Sequence, residues 1–180
     1  MASASARHRP SRRDTRRPNP EGTDMIDEMR LERVVSAPAH ECHALVADVE
    51  NYPQWASDVI SVDVLAHDDE GRPSEVAFRV DALGRTAGYT LAYDHSEAPR
   101  RISWHLLSGD IVRRLDGCYE FDAVPDDPAA TTVGYHLELE LAVPLPGFVK
   151  RRAESRIAHA ALDDLAKRVE SRTARDEVAG

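Results

Sequence analysis

The sequence predicts an α+β fold in which a curved antiparallel sheet of seven strands wraps around one long C-terminal helix. Two observations lead to this prediction. Between residues 59 and 143, apolar and polar residues alternate in six short segments separated by turns, as expected for strands with one buried and one wet face. From Phe148 to about Ser171, apolar residues recur every four positions, which indicates a helix. At 180 residues, the chain is long enough for a single domain with a sizeable core.

One strand and two short helices are predicted before these six segments. Residues 29–36 alternate and are predicted to form the first strand. Pro38 suits the first turn of a helix. The apolar face of that helix is marked by residues at spacings of three and four: Cys42, Leu45, Val46 and Val49. Asn51-Tyr52-Pro53 ends the helix, because the residue before a proline resists the α conformation. A second short helical turn is predicted over residues 53–57.

The six later strands are separated by turns of recognisable composition. His67 to Pro73 is rich in charge and ends in glycine and proline, Gly84-Arg85 makes a tight turn, and Pro125 to Pro128 separates the last two strands. Connections this short favour a meander, in which neighbours in sequence are also neighbours in the sheet. The predicted strands cover residues 59–66, 75–83, 86–94, 100–107, 112–124 and 131–143.

The charge distribution separates an N-terminal segment from the rest of the chain. Six arginines and three acidic residues give residues 1–24 a net charge of +3, so the overall net charge of −9 leaves −12 on the remainder. A body this acidic repels phosphate backbones, and we expect no nucleic-acid partner for the folded part. We expect residues 1–24 to be a disordered, Arg-rich tail, residues 25–172 to be the domain and residues 173–180 to be a frayed end. The alternatives for the tail are a small nucleic-acid or membrane arm, or a translation start at Met25 that omits it.

Nothing in the sequence predicts export or membrane insertion. Residues 1–24 lack the apolar segment of a secretory signal, and no window approaches the ~18 consecutive apolar residues of a membrane-spanning helix. The two cysteines, Cys42 and Cys118, do not make a disulfide framework. We therefore expect a soluble, cytoplasmic protein without integral membrane association.

The sizes of the inward-facing side chains predict a cavity. The helix presents a thin stripe: Val149, Ala153, Ile157, Ala161, Leu165 and Val169. The sheet presents bulky aromatic residues: Phe78, Tyr89, Tyr93, Trp104, Tyr119, Phe121 and Tyr135. Strands curled around so slim a helix leave space beneath it, and an apolar gap with a few hydroxyls is typical of a small-molecule site. The alternative is that the aromatic rings pack against one another and no space remains.

Three motifs in this sequence form a known family pattern. The first joins Val35-Ser36-Ala37-Pro38 to Asp48-Val49-Glu50-Asn51-Tyr52-Pro53-Gln54-Trp55. The second joins Arg100-Arg101-Ile102-Ser103-Trp104 to Gly117-Cys118-Tyr119-Glu120-Phe121, and the third is Pro144-Leu145-Pro146-Gly147. Over about residues 29–170, the chain resembles the START-like helix-grip superfamily (SRPBCC), in its polyketide cyclase/dehydrase and coenzyme-Q-binding-like branch.

The resemblance implies a helix-grip fold with a deep hydrophobic cavity between the sheet and the terminal helix. It also implies a lipid, a quinone or a polyketide-like molecule as the ligand, without deciding among them. The predicted ligand-binding residues face this cavity: Trp55, Phe78, Val80, Tyr89, Leu91, Tyr93, Trp104, Leu106, Tyr119, Tyr135, Ile157 and Ala161.

Catalysis is the main alternative to simple binding. For relatives that are enzymes, the resemblance implies an arginine and a tyrosine in the cavity that polarise carbonyls and move protons. The catalytic candidates here are Tyr89, Tyr93 and Tyr135, as acid or base. Arg113 shares the parity of Leu115, which allows it to point inward, but no clear inward arginine is predicted. This weakens the enzyme interpretation.

No metal or cofactor is expected. The chain has eight histidines, but no pair at a useful spacing is matched with a carboxylate. Neither cysteine has a base beside it in sequence, and no Gly-rich phosphate loop occurs. Tyr52 is expected to be structural, whereas Trp55 either docks the helix pair onto the sheet or forms the lip of the cavity. Loops 67–73, 82–85 and 145–148 are candidates for a gate.

Three functions follow from these observations. The leading hypothesis is a protein that binds a hydrophobic small molecule and orients its polar end with tyrosine hydroxyls. The second is a cyclase, dehydratase or aromatase that acts on a polyketide-like chain. The third is a co-chaperone-like or regulatory module that reports ligand binding to a partner protein. The oligomeric state is not set by the sequence.

Overall fold

The computed structural model describes residues 28–82, 84–142 and 145–179, with side chains from Met29 to Arg175 in those ranges. The expected tail, residues 1–24, lies outside the described residues. The predicted order of elements is confirmed: one strand, two short helices, six strands and a long helix. The elements are β1 (Glu28–Val35), α1 (Ala39–Ala47), a 3₁₀ helix (Val49–Gln54), β2 (Val59–His67), β3 (Pro73–Ala82), β4 (Arg85–Asp94), β5 (Arg101–Gly109), β6 (Val112–Val124), β7 (Asp127–Leu141) and α2 (Gly147–Ala179).

The predicted seven-stranded antiparallel sheet is confirmed, in the order β1-β7-β6-β5-β4-β3-β2. Strands β2 to β7 form a meander, because each pairs antiparallel with the next. β1 lies at the far edge, against β7. The chain therefore crosses from one edge to the other between β1 and β2, and α1 and the 3₁₀ helix make this crossing. Register shifts in the β2–β3, β4–β5 and β6–β7 pairs mark bulges, which bend a sheet.

The short helices cover one end of the sheet with the predicted apolar face. Cys42, Leu45 and Val46 of α1 are buried. α1 ends at Ala47, and the chain then tightens into the 3₁₀ helix, which contains Pro53. The second helical segment thus starts at residue 49 rather than 53, since 3₁₀ turns are frequent where α-helices end.

α2 is longer than predicted, and two of its faces differ in burial. It extends to Ala179 instead of ending near Ser171; the expected fraying of residues 173–180 stays a prediction. One face packs against β1, β7 and α1. Its buried residues there are Ala158, Leu162, Leu165, Ala166 and Val169. The neighbouring face, with Ile157 and Ala161, is only partly buried. The helix therefore does not fill the space over the rest of the sheet.

Polar contacts fix the position of α2 over the sheet. The Ser57 backbone N–H donates to Asp164 Oδ2 at 2.8 Å. The Ser36 N–H donates to a Glu170 carboxylate oxygen at 3.1 Å. These bonds hold α2 at two levels, one beside the 3₁₀ helix and one beside β1. No described helix has both the length and the apolar composition required to span a bilayer.

Candidate functional site

A cavity of about 220 Å³ lies between the N-terminal half of α2 and the concave face of the sheet. Its walls come from β3 to β7, from the loop after the 3₁₀ helix and from α2. Most of the lining side chains are apolar or aromatic. Every predicted ligand-binding residue except Leu106 lines this cavity. Their role in binding a ligand remains a prediction.

Leu106 lies at the point where β5 leaves β6. The β5–β6 pairing ends with Trp104 opposite Gly117. The Leu106 N–H then donates to the Asp116 carboxylate at 3.0 Å instead of to a strand carbonyl. Leu106 packs against the edge of the core and is partly buried. Leu106 lies opposite the cavity-lining Leu91, on the same face of the sheet, but it falls outside the lining itself.

Strand register places aromatic residues opposite one another on the cavity floor. The directly opposed pairs are Phe78 with Tyr89, Tyr93 with Trp104, and Tyr119 with Tyr135. Their ring centroids are 5.4, 6.2 and 4.8 Å apart, respectively. The rings do pack in pairs, as the alternative interpretation required, and yet a cavity remains. It remains because the roof is built from small residues of α2: Ala153, Ala160 and Ala161.

Gly117 explains part of the second sequence motif. It lies opposite Trp104 in the β5–β6 register. A Cβ atom at this position would lie 2.7 Å from Trp104 Cζ2 and 2.3 Å from the His136 carbonyl oxygen. Real Cβ atoms essentially never approach so closely, so glycine lets the indole ring of Trp104 pack directly against β6. The motif thus sets the shape of the cavity floor.

Five tyrosines belong to this region, and they divide into two roles. The Tyr52 hydroxyl donates to the Val46 carbonyl at 2.7 Å and is buried. This bond ties the 3₁₀ helix to α1, as expected for a structural residue, although the ring also borders the cavity. The other four supply the hydroxyl groups of the cavity wall: Tyr89, Tyr93, Tyr119 and Tyr135.

Burial raises the pKa of all five tyrosines above the usual range for a phenol. Each phenol therefore stays neutral at neutral pH. A neutral phenol donates a hydrogen bond and polarises a carbonyl, but it does not take up a proton. For Tyr89, Tyr93 and Tyr135, this environment suits hydrogen-bond donation and not the role of base.

The charged side chains that line the cavity are all partly or fully exposed to solvent, so they mark its opening. Arg156 of α2 is 63% exposed, and its Nη2 lies 3.4 Å from Asp58 Oδ1. Asp164 lies about two helical turns further along α2 and accepts a hydrogen bond from the Ser57 N–H. Asp81, at the end of β3, completes the set, and its N–H donates to the Asp58 carbonyl at 2.9 Å. Three carboxylates and one guanidinium therefore surround the entrance.

Arg156 is the arginine that the sequence analysis missed, and Arg113 is not its substitute. Arg113 is exposed and does not line the cavity. A register shift between Val112 and Arg114 breaks the alternation that linked Arg113 to Leu115. The place of Arg156 is explained by the helical period instead. Positions 156, 160 and 164 form a stripe next to the stripe at 153, 157 and 161, and both stripes line the cavity.

Trp55 borders the cavity and also packs on the 3₁₀ helix. Its ring lies edge-on to Tyr52, with centroids 4.8 Å apart. Its Nε1 is buried without a hydrogen-bond partner among the described residues. The two interpretations of Trp55, structural plug and cavity lip, are therefore both compatible with its position.

The gate candidates lie at different distances from the opening. Ala82 lines the cavity, so the β3–β4 turn borders it, although Leu83 lies outside the described residues. No residue of the 67–73 loop lines the cavity. That loop follows β2, and the first residue of β2 lies next to the opening. Because β2 is nine residues long, the loop lies about 26 Å from the opening. A lid formed by residues 82–85 or 145–148 stays a prediction.

Cys42 and Cys118 are both free and buried, and burial raises the pKa of the Cys42 thiol to about 11. A thiol with that pKa is a poor nucleophile at neutral pH. Within the described ranges, no group of three or more His, Cys, Asp or Glu residues is arranged to hold a metal ion.

Several solved structures have this fold. A START superfamily protein from Mycobacterium smegmatis is 24% identical, with a TM-score of 0.76 over 80% of this chain and 97% of that chain. The Zhui aromatase/cyclase from Streptomyces sp. R1128 is 19% identical, with a TM-score of 0.71 over 82% and 95% of the two chains. The di-domain ARO/CYC BexL of the BE-7585A biosynthetic pathway is 24% identical, with a TM-score of 0.62 over 81% and 47%. At these identities the likeness shows the fold alone.

The family itself is shown by the sequence. No protein with a curated description matches the chain. Residues 35–166 match the family model described as polyketide cyclase / dehydrase and lipid transport. This range covers most of the chain and includes the motifs around Trp55 and Gly117, so the resemblance drawn from those motifs is confirmed. The chain belongs to the polyketide cyclase/dehydrase and lipid transport family.

Proposed function

We propose that this protein binds a hydrophobic small molecule, such as a lipid, a quinone or a polyketide-like compound, between the sheet and α2. The observation that carries the proposal is the cavity of about 220 Å³ with an aromatic floor and a small-residue roof. Its four cavity phenols supply donors for a carbonyl or hydroxyl of the ligand. The START-like fold of the family supports the same function.

Burial of apolar surface supplies the binding energy. Each ~100 Å² of apolar ligand surface removed from water contributes about 2.5 kcal/mol. A ligand that buries roughly 300 Å² therefore gains about 7–8 kcal/mol before ordering costs, which limits the dissociation constant to the micromolar range or weaker. Flat rings gain more, because they stack on the aromatic floor.

Intrinsic fluorescence tests this proposal directly. The chain has two tryptophans, Trp55 and Trp104, and both line the cavity. Titration with naphthoquinone, an uncharged quencher, is expected to quench the tryptophan emission saturably with one site per chain. Native mass spectrometry of the protein purified from cells provides a second measurement, since a retained cargo adds a discrete mass. A linear, non-saturating quench together with a clean apo mass would contradict the proposal.

A second candidate function is a cyclase, dehydratase or aromatase, and one observation favours it. Arg156 at the opening supplies the cavity arginine that this alternative needs. In such a reaction, a carboxylate at the opening removes a proton from a carbon between two carbonyls. Neutral phenols then donate hydrogen bonds to the enolate oxygen that forms.

Substitution of the cavity tyrosines separates the two functions. In Tyr93→Phe and Tyr135→Phe, a binding protein is expected to keep most of its affinity for naphthoquinone. A cyclase is expected to keep that affinity and to lose turnover of a model poly-β-ketone. Absence of turnover in the wild-type protein would exclude this second candidate and leave the first in place.

A further inference from the structure

The charges around the cavity are unbalanced. Among the described residues that line it, the carboxylates are Asp58, Asp81 and Asp164, and Arg156 is the single cation. Arg156 lies against Asp58, with 3.4 Å between the charged groups. The guanidinium is thus already matched, and Asp81 and Asp164 leave an excess of negative charge at the entrance.

The position of Asp164 is fixed by the fold. Its Oδ2 accepts the Ser57 backbone N–H at 2.8 Å, so its charge faces the loop that borders the opening. Its influence extends inward: burial is the main cause of the raised pKa of Tyr119, and the charge of Asp164 adds to it. Asp58 adds to the raised pKa of Tyr89 in the same way, after burial. The negative potential of the entrance therefore reaches the phenols inside.

The interior provides nothing to neutralise a ligand anion. Away from the charged entrance, the lining consists mainly of aromatic and aliphatic side chains. Hydroxyl groups can share a hydrogen bond with a carboxylate, but removing an ion from water without a cationic partner is strongly unfavourable. An uncharged carbonyl or hydroxyl needs only the hydrogen bond.

From these charges we infer that the cavity selects uncharged ligands and rejects carboxylates. Its natural cargo then belongs to the neutral quinones, phenols, alcohols or ketones, and not to free fatty acids or other organic anions. The acidic entrance, made by Asp58, Asp81 and Asp164, is the element that sets this selectivity. The inference rests on the proposed ligand-binding function and narrows its ligand class.

Matched ligands of the same shape test the inference. Naphthalenemethanol, methyl naphthoate and naphthoate share one ring system, and only naphthoate is ionised at neutral pH. Their dissociation constants are measured by calorimetry at low salt. We expect the two neutral ligands to bind at least tenfold more tightly than naphthoate. We call the ratio of the naphthoate dissociation constant to that of the neutral ligands the gap. We expect added salt to narrow the gap, since the entrance is exposed to solvent.

Four variants identify the cause of the gap. Asp58→Asn and Asp164→Asn keep an oxygen acceptor in place and remove one charge, and each is expected to narrow the gap at least threefold. Arg156→Gln removes the single cation and is expected to widen it. Asp69→Asn removes the same charge in the β2–β3 turn, at the opposite end of β2, and is expected to leave the gap unchanged.

The outcomes separate this inference from the function beneath it. Naphthoate binding as tightly as the neutral ligands would overturn the inference and leave the binding function intact. A gap that neither Asp58→Asn nor Asp164→Asn changes would overturn the role given to the entrance. If none of the three ligands binds, the proposed function itself fails, and the inference fails with it.

Discussion

Substitution of Ala161 by leucine tests whether the interior is hollow. Ala161 lies in the roof of the cavity, on the partly buried face of α2. Leucine has nearly the same helix propensity as alanine, so the backbone of α2 is little affected. If space exists beneath the helix, the larger side chain enters it and buries new apolar surface. If the interior is solid, the same side chain has nowhere to go.

The two cases differ in the sign of the stability change. Leucine adds three carbon atoms, and burial at about 0.8 kcal/mol for each gives a gain of about 2.4 kcal/mol. Loss of rotamer freedom removes roughly 0.5–1 kcal/mol, which leaves a gain of about 1.5 kcal/mol in the free energy of unfolding. For a chain of this length, that gain raises the melting temperature by about 3–6 °C. Overpacking of a solid interior would instead destabilise the protein by about 1–3 kcal/mol.

Urea and thermal unfolding measure this change, and the same helix provides the control. Ala158 is fully buried in the core, at 0% exposure. Ala158→Leu is therefore expected to lose about 1–3 kcal/mol by overpacking, while Ala161→Leu gains stability and binds naphthoquinone at least tenfold more weakly. If both variants are destabilised alike, the roof is packed like the core, and the argument for a cavity fails.

The remaining predictions concern the aromatic residues. Tyr52→Phe removes a buried hydrogen bond to the Val46 carbonyl and is expected to lower the free energy of unfolding by about 1–2 kcal/mol. Tyr93→Phe is expected to weaken naphthoquinone binding by no more than about fivefold, with little change in urea stability, so equal effects of the two variants would contradict their assigned roles. Gly117→Ala is expected to lower the free energy of unfolding by about 1–3 kcal/mol, because the new methyl group contacts the indole and the His136 carbonyl. The same contact is expected to shift the fluorescence emission of Trp104. Unchanged emission would show that Trp104 does not pack against this glycine. Because folding raises the pKa of all five tyrosines, the folded state holds its phenol protons at a pH where the unfolded chain has released them. Stability is expected to fall as the pH rises above about 10, the ordinary pKa of a phenol, and phenolate absorbance is expected to appear together with the loss of circular dichroism; phenolate formation in a protein that stays folded would refute this.

The fold was predictable because its signals are periodic and long. Each strand of the meander carries several alternating residues, and α2 carries six apolar positions four apart, so a local error changes little. The buried face of each strand also followed from alternation wherever strands pair without interruption. Phe78 opposite Tyr89 and Tyr119 opposite Tyr135 face the cavity as their parity requires.

The site was harder to predict because bulges and helix edges decide it. Alternation fails at Arg113, where β6 shifts its register against β7. Alternation also does not set how far the cavity extends: Leu106 lies on the same face as Leu91 and still falls outside the lining. Arg156 and Asp164 were missed for another reason. A charged residue beside an apolar stripe usually faces solvent, and only the position of the opening shows that these two border a cavity.

α2 has one face that packs in the core and one face that lines the cavity, and this difference determines which substitutions the cavity can tolerate. The face with Leu162, Leu165 and Val169 is part of the core and holds the helix against β1 and β7. The roof residues, such as Ala160 and Ala161, take little part in that packing, so their size sets the height of the cavity independently of the fold. The floor is less free, because Trp104 depends on Gly117 and the opposed rings support one another. Ligand size in this protein is therefore expected to be adjustable from the helix, whereas ligand orientation depends on the sheet.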